Sequence, residues 1–189
     1  MDYRSVAVAL LLLALACVAL PGLIALAVLW LRERSRAAML TLSAQAAGLQ
    51  VWLGEVGGYE YASELDVEAK FVYPALRHLG FRANDCRMRV AVEVQVGRQA
   101  VRGIADWVVY DGSRPWVVVE AKAPSESLEP AHAQARSYAV ALKAPLIMLV
   151  NGKRAQVWRR GLDTDSLLFD CKVDQLPAHW AELVIVLGK

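Results

Sequence analysis

The sequence is short of cysteine, histidine and charge. Its three cysteines, Cys17, Cys86 and Cys171, lie far apart, and no pair has metal-ligand spacing. That excludes a disulfide framework and a zinc finger, and it agrees with a reducing compartment. The three histidines, His78, His132 and His179, each stand alone and form no ligand cluster. Charged residues fill only 21% of the 189 positions, against 57% hydrophobic ones, which excludes a disordered, collagen-like or low-complexity chain. There is no internal repeat and no helix-turn-helix pattern.

The longest gap in charge runs from Val6 to Leu31, 26 residues of which 24 are apolar. Mean hydropathy is +0.33 for the whole chain. Outside this run the composition falls back toward the globular range. A bilayer core of ~30 Å takes about 20 apolar residues as a helix, so residues 1–31 read as an N-terminal transmembrane anchor. Pro21-Gly22 would kink the span, and each arm beside it is too short for a two-span hairpin. A cleaved signal peptide is the alternative, because Ala14-Leu15-Ala16 precedes Cys17. Against it, the apolar run continues well past Cys17 and only Arg4 supplies positive charge before it. Arg32, Arg34 and Arg36 follow the span. By the positive-inside rule the remainder faces the cytoplasm from the inner membrane.

Residues 32–62 read as a helical stalk and linker, rich in Ala and Leu to about Gln50 and then broken by Gly54, Gly57 and Gly58. Residues 63–189 read as one soluble domain. Ser63 with Asp66 is an acidic variant of the capping box, and Leu65, Phe71, Val72, Leu76 and Leu79 carry a helix toward Gly80. Met88–Val96 alternates as a strand, with Met88, Val90, Val92, Val94 and Val96 on one face. Ile104–Tyr110 and Trp116–Ala121 are strands joined around Asp111-Gly112. Leu128–Leu142 is a helix with Pro130 in its first turn. Leu146–Val150 and Ala155–Arg159 form a hairpin on Asn151-Gly152, followed by a short strand near Leu167–Phe169 and a helix over Ala178–Val186. The fold class is α/β (α+β), a mixed sheet flanked by helices.

Two carboxylates stand out against this apolar background. Asp106 interrupts one Val/Trp-rich strand, and Glu120 with Lys122 ends another, two apart and so on one face. A hairpin loop spanning Asp111–Pro115 would set Tyr110 against Trp116 and Asp106 against Glu120, with Cβ atoms roughly 5 Å apart. Two such carboxylates need a compensating cation and make a hard-oxygen site suited to Mg²⁺ or Mn²⁺, with Lys122 adding a positive charge beside it. Glu68, on the preceding helix, is a third carboxylate candidate. Gln134 and Tyr138, four apart, share one face of the next helix.

This constellation, Asp106 and then Glu120-Ala121-Lys122 after thirteen intervening residues, resembles the PD-(D/E)XK nuclease motif. The stretches Gly103–Gly112, Val119–Pro124, Leu128-Glu129, Gln134–Tyr138 and Leu149–Gly152, continuing to Val157-Trp158, are similar to the N-terminal nuclease domain of type I restriction enzyme motor subunits. The similarity covers about Glu64 to Arg160, and nothing in the chain matches the helicase motor. It implies a restriction-endonuclease-like core that hydrolyses DNA phosphodiester bonds with a divalent metal. It assigns Asp106, Glu120 and the Ala121 carbonyl as metal ligands, and Lys122 to position or activate water. Glu68 matches the acidic residue of the first helix, and Gln134 and Tyr138 match a helix motif of a related branch. Ile104 stands where the family usually has arginine, and Ala105 replaces the proline.

Net charge is only +2, yet Lys70 to Arg160 holds 15 Lys and Arg against 7 Asp and Glu. Such a bias attracts a phosphate backbone without reading sequence. Arg89, Arg102, Arg136, Lys153 and Arg154 are the candidate DNA contacts. The expectation is thus a membrane-anchored, Mg²⁺- or Mn²⁺-dependent DNA endonuclease, with a role in restriction or anti-phage defence resting on analogy. Its expected partners are DNA, the inner membrane, a second copy paired through the stalk, and a separate helicase or ATPase. The competing expectation is a catalytically inactive nuclease fold that binds DNA or a protein at the membrane.

Overall fold

The computed structural model describes the backbone of residues 3–188 and the side chains of residues 28–188 apart from Val96. It divides into two compact units, Met1–Gly48 and Leu49–Lys189. Helix α1 spans Tyr3–Glu55. Most of the expected anchor at Val6–Leu31, with its alternative cleavage site, lies outside the described side chains. Among the described residues no helix is long and apolar enough to cross a membrane.

The second unit begins earlier than the glycines suggest. Residues 54–62 were expected to form a linker, but Trp52, Leu53 and Val56 are buried in the core of the second unit. The reason is energetic: a glycine costs a helix about 1 kcal/mol, and burying one large apolar side chain returns more. The Trp52 ring meets Phe71, His78 and Trp180 with centroids 5.3–6.0 Å away. Gly57 follows in a short 3₁₀ turn, Val56–Gly58, and a Cβ there would lie 2.7 Å from the Asp174 backbone.

The helix expected after Ser63 forms, with an irregularity. Ser63 Oγ accepts from the Asp66 N–H, and the Ala62 N–H, one residue before the cap, donates to Asp66 Oδ2. Helix α2 (Glu64–Val67) passes through a π-helical stretch, Glu68–Val72, into α3 (Tyr73–His78). Pro74 explains the irregularity. It has no N–H for the carbonyl of Lys70, four residues earlier, and that carbonyl accepts instead from Trp52 Nε1 at 3.2 Å. Glu68 opens the π stretch, a device that recurs at functional sites.

Six strands follow in one sheet, in chain order: β1 (Cys86–Val96), β2 (Gln99–Asp111), β3 (Arg114–Ala121), β4 (Leu146–Val150), β5 (Arg154–Arg159) and β6 (Ser166–Lys172). All neighbours are antiparallel except β3 and β4. Those two are joined by the crossover helix α4 (Leu128–Leu142), and α5 (Leu176–Leu187) follows β6. Alternation along the central strands builds two cores. Trp107, Val109, Val117, Val119, Met148 and Val150 face the first, and Val108, Val118, Ile147 and Leu149 the second.

The β2–β3 turn corrects the expected loop. Asp111 pairs with Arg114 and Tyr110 with Pro115, so the loop is Gly112-Ser113 rather than Asp111–Pro115. Taken alone, that shorter loop would put Asp106 and Glu120 on opposite faces. A bulge restores the register: Val109 pairs with Val117, leaving Trp116 as the extra residue. Pro115, which cannot donate to the ladder, is tolerated beside the bulge.

Candidate metal centre at the ends of β2 and β3

The β1–β2 ribbon turns over where the first carboxylate sits. Ala105 and Trp107, two apart, belong to opposite cores, so alternation breaks at Asp106. On β1, Met88 pairs with Trp107 and Val90 with Ala105, which puts Arg89 across from Asp106. Arg89 has φ +51°, a left-handed conformation that costs a non-glycine residue about 1–2 kcal/mol. The expected single face from Met88 to Val96 is therefore broken: Val92 is buried, while Met88 is 50% exposed.

Four carboxylates converge here. Glu68, Asp106 and Glu120 are 1%, 5% and 1% exposed, three of the few charged groups buried in the fold. One oxygen each from Glu64, Glu68 and Asp106 lie within 4.8 Å of one another. Trp107 Nε1 donates to Glu68 Oε2 at 2.8 Å, and the Ala121 N–H donates to Asp106 Oδ2 at 2.9 Å. Each bond fixes one oxygen, and the other, Glu68 Oε1 or Asp106 Oδ1, meets the Arg89 guanidinium, which an incoming metal ion would displace. At the end of β3, Lys122 Nζ donates to Glu120 Oε1 at 2.7 Å and lies 3.9 Å from Glu64 Oε2. The other Glu120 oxygen, Oε2, is buried and has no hydrogen-bond partner.

Electrostatics follow from the crowding. Burial pushes the Glu120 carboxyl up to about 7, and Asp106 and Glu64 push the same way, while Lys122 opposes them. Burial and the Asp106 charge also raise Glu64. Burial pulls the Lys122 ammonium down, but Glu120, Glu64 and Asp106 outweigh it and the net direction is up. A cluster of oxygen donors with an orphaned, buried carboxylate oxygen is chemistry that fits a hard divalent cation.

The structure sorts the residues singled out in the sequence. Asp106, Glu120, Lys122 and Glu68 come together. The Ala121 peptide is at the site as well, through its N–H on Asp106. Gln134 Nε2 donates to the Tyr138 hydroxyl at 3.2 Å, but Tyr138 packs in the second core against Gly103, where a Cβ would lie 2.5 Å from its ring. Among the described residues, no hydrogen bond joins either to the carboxylates. Arg136 is held by Asp165 and the Leu162 carbonyl. Arg154 is held by Asp170, and Arg102 is exposed on the ribbon opposite Glu93.

Two members were missed. Glu64 falls in the first turn of the helix that starts at Ser63 and is not among the candidates, although it lies one helical turn before Glu68, a spacing that carries the signal. Arg89 was counted as a surface cation for DNA. Its guanidinium instead bridges the cluster, with Nη1 2.7 Å from Asp106 Oδ1 and Nη2 2.6 Å from Glu68 Oε1.

A family model described as "Type I restriction enzyme R protein N terminus (HSDR_N)" matches residues 67–175. The chain belongs to this family. The matched stretch contains Glu68, Asp106, Glu120 and Lys122, while Glu64 lies three residues before it. Among solved structures, the chain is similar to the fragment structure of a putative HsdR subunit of a type I restriction enzyme from Vibrio vulnificus YJ016. That match has a TM-score of 0.47 and 21% identity, over 66% of this chain and 26% of that one. It is also similar to the DrdV–DNA complex determined by cryo-electron microscopy, with a TM-score of 0.48 and 14% identity, over 76% of this chain and 13% of that one. The chain thus spans about a quarter or less of the structures it matches. No curated protein matches the sequence.

Proposed function

We propose that this restriction-enzyme N-terminal domain is a divalent-metal-dependent DNA endonuclease that hydrolyses phosphodiester bonds. The observation that carries the reading is the cluster of Glu64, Glu68, Asp106 and Glu120, the last three buried, with Glu120 Oε2 unpartnered and Lys122 bound to its other oxygen. Asp106 and Glu120 would hold the metal, Mg²⁺ or Mn²⁺, with Glu64 and Glu68 completing the oxygen shell. When bound, the ion supplies Lewis-acid stabilisation of the phosphoryl oxygens. The chain's own groups do the rest. Trp107 and the Ala121 N–H aim the carboxylates. Lys122, fixed by Glu120, presents an ammonium that orients a water and meets negative charge developing on the phosphoryl group. The local excess of basic residues attracts the DNA backbone.

Anchoring at the inner membrane with this domain in the cytoplasm is part of the proposal. It rests on the charge-free run Val6–Leu31 and the arginines after it. A role in restriction, pairing of two copies for double-strand cuts, and a separate helicase or ATPase partner belong to the same reading. A second reading, a nuclease fold that binds without cutting, draws on Arg89, which already neutralises Glu68 and Asp106. Cleavage of labelled DNA by the full chain with Mg²⁺, beside Asp106→Ala and Lys122→Ala, separates the two. Metal-dependent cutting lost in both variants supports the nuclease. Equal rates in all three chains sink it, and no cutting with any divalent ion favours the second reading. A reporter fused after Lys189 and found outside the cytoplasm would refute the topology.

A further inference from the structure

Beyond the carboxylate cluster, the second unit contains a cleft of about 560 Å³, a size that suits a small ligand. It opens where the two parallel strands end. Lys122 N–H donates to the Val150 carbonyl, which ties the end of β3 to the end of β4. The cleft wall begins at Pro124, two residues past Lys122, and runs along the Asn151-Gly152 turn. The carboxyl ends of parallel strands are where open α/β sheets bind ligands.

The lining is aromatic and basic, with one carboxylate, Asp174, on the wall and Arg154 already paired to Asp170. Tyr59 and Tyr61 form an edge-to-face pair, centroids 6.2 Å apart. Both are half-buried, so each keeps ring surface toward solvent. Tyr61 is pinned: its hydroxyl donates to the Val56 carbonyl, and its ring lies against Gly152. Gly152 has φ +76°, and a Cβ there would sit 2.7 Å from that ring, so glycine is required for both backbone and space. Asn151 fixes the turn, accepting from the Lys153 and Arg154 N–H groups and donating to the Glu126 carbonyl. Lys153 and Lys172 supply charge, and no ion pair engages either among the described residues. Both tyrosines lie outside the family-matched stretch, residues 67–175. Aromatic rings beside free cations are the pattern that holds unpaired nucleotides by stacking and phosphate contact.

We propose that this cleft is a nucleotide subsite, in which one base of a single-stranded DNA tract stacks on Tyr59, with the Tyr61 ring set at a steep angle beside it, while its phosphates meet Lys153 and Lys172. The proposal deepens the nuclease reading and rests on it, since it gives the strand next to the cut a place to be held.

The test uses the full chain in EDTA, so that nothing is cut, and a single-stranded oligonucleotide carrying 2-aminopurine. Wild type should bind it and quench the base analogue. Tyr59→Leu should lose the quench and bind about tenfold more weakly, and Tyr59→Phe, which keeps the ring, should restore both. The double variant Lys153→Gln/Lys172→Gln should flatten the salt dependence by about 1.4, from ~0.7 per phosphate contact on a single strand. If wild type binds and quenches but Tyr59→Leu and the lysine variant match it, the subsite is wrong and the DNA reading stands. If wild type binds neither single-stranded nor duplex DNA, both fall together. If dAMP binds as tightly as the oligonucleotide, the ligand is a free nucleotide and the strand assignment is overturned.

Discussion

Replacing Arg89 with alanine removes the one guanidinium that bridges Glu68 and Asp106. Both carboxylates are buried, so without it they keep only the Trp107 and Ala121 N–H donors. Stripping one partner from a buried ion pair costs about 3–5 kcal/mol. Arg89 itself is half-exposed, which lets water take over part of its role, so we expect a loss of about 2–3 kcal/mol. For a domain of this size that lowers the melting temperature by about 5–10 °C. Alanine inherits the left-handed backbone and relieves none of its strain, whereas Arg89→Gly should recover about 1 kcal/mol. The assay is thermal unfolding of the full chain with EDTA and with Mg²⁺. In wild type an incoming ion must displace the guanidinium, but in Arg89→Ala it meets carboxylates with nothing between them. Mg²⁺ should therefore raise the variant's melting temperature more than the wild type's. A variant that melts within 1 °C of wild type and gains no more from Mg²⁺ would refute this role for Arg89.

Further outcomes follow from the same contacts. Glu120 is raised by burial from 4.5 to about 7, so its stabilising contribution is full below about 4.5 and fades as pH rises toward 7; that costs the metal-free fold about 3 kcal/mol across the interval. Glu120→Gln should lack this slope in melting scans from pH 4.5 to 8, and a wild-type stability rising over that interval relative to Glu120→Gln would contradict the assignment. Trp107→Phe, which keeps a ring but drops the donor to Glu68, should cost about 1–2 kcal/mol in urea unfolding. Gly103→Ala forces a methyl into the Tyr138 ring and should cost about 1–3 kcal/mol, part of which Tyr138→Leu in the same chain recovers.

Much of the sheet was legible because local and global signals agree. The Val/Trp-rich runs, the Asn151-Gly152 turn and Pro130 in the first turn of α4 each point to the element observed. The closeness of Asp106 and Glu120 was legible too, but through a wrong loop. Periodicity cannot show that Trp116 bulges out of the ladder, because a bulge is decided by pairing across strands. The π stretch at Glu68 has a readable cause in Pro74, yet its effect on the site depends on Trp52, which the glycines around position 54 seemed to place outside the domain. Arg89 was misjudged for a physical reason as well. A basic residue in a basic region reads as a surface cation until the turning-over of the ribbon carries it onto buried carboxylates. Gln134 does bond to Tyr138, and Tyr138 packs against Gly103; among the described residues no hydrogen bond joins either to the carboxylates.

On the proposed function, these carboxylates hold a divalent ion for DNA hydrolysis. Titration of Mn²⁺ into the full chain, followed by electron paramagnetic resonance, tests it without depending on a chosen substrate. The wild-type chain should take up the ion, Asp106→Ala should abolish the uptake, Glu120→Gln should weaken it, and Gln134→Ala should leave it intact. Uptake unchanged by Asp106→Ala and Glu120→Gln would contradict that function.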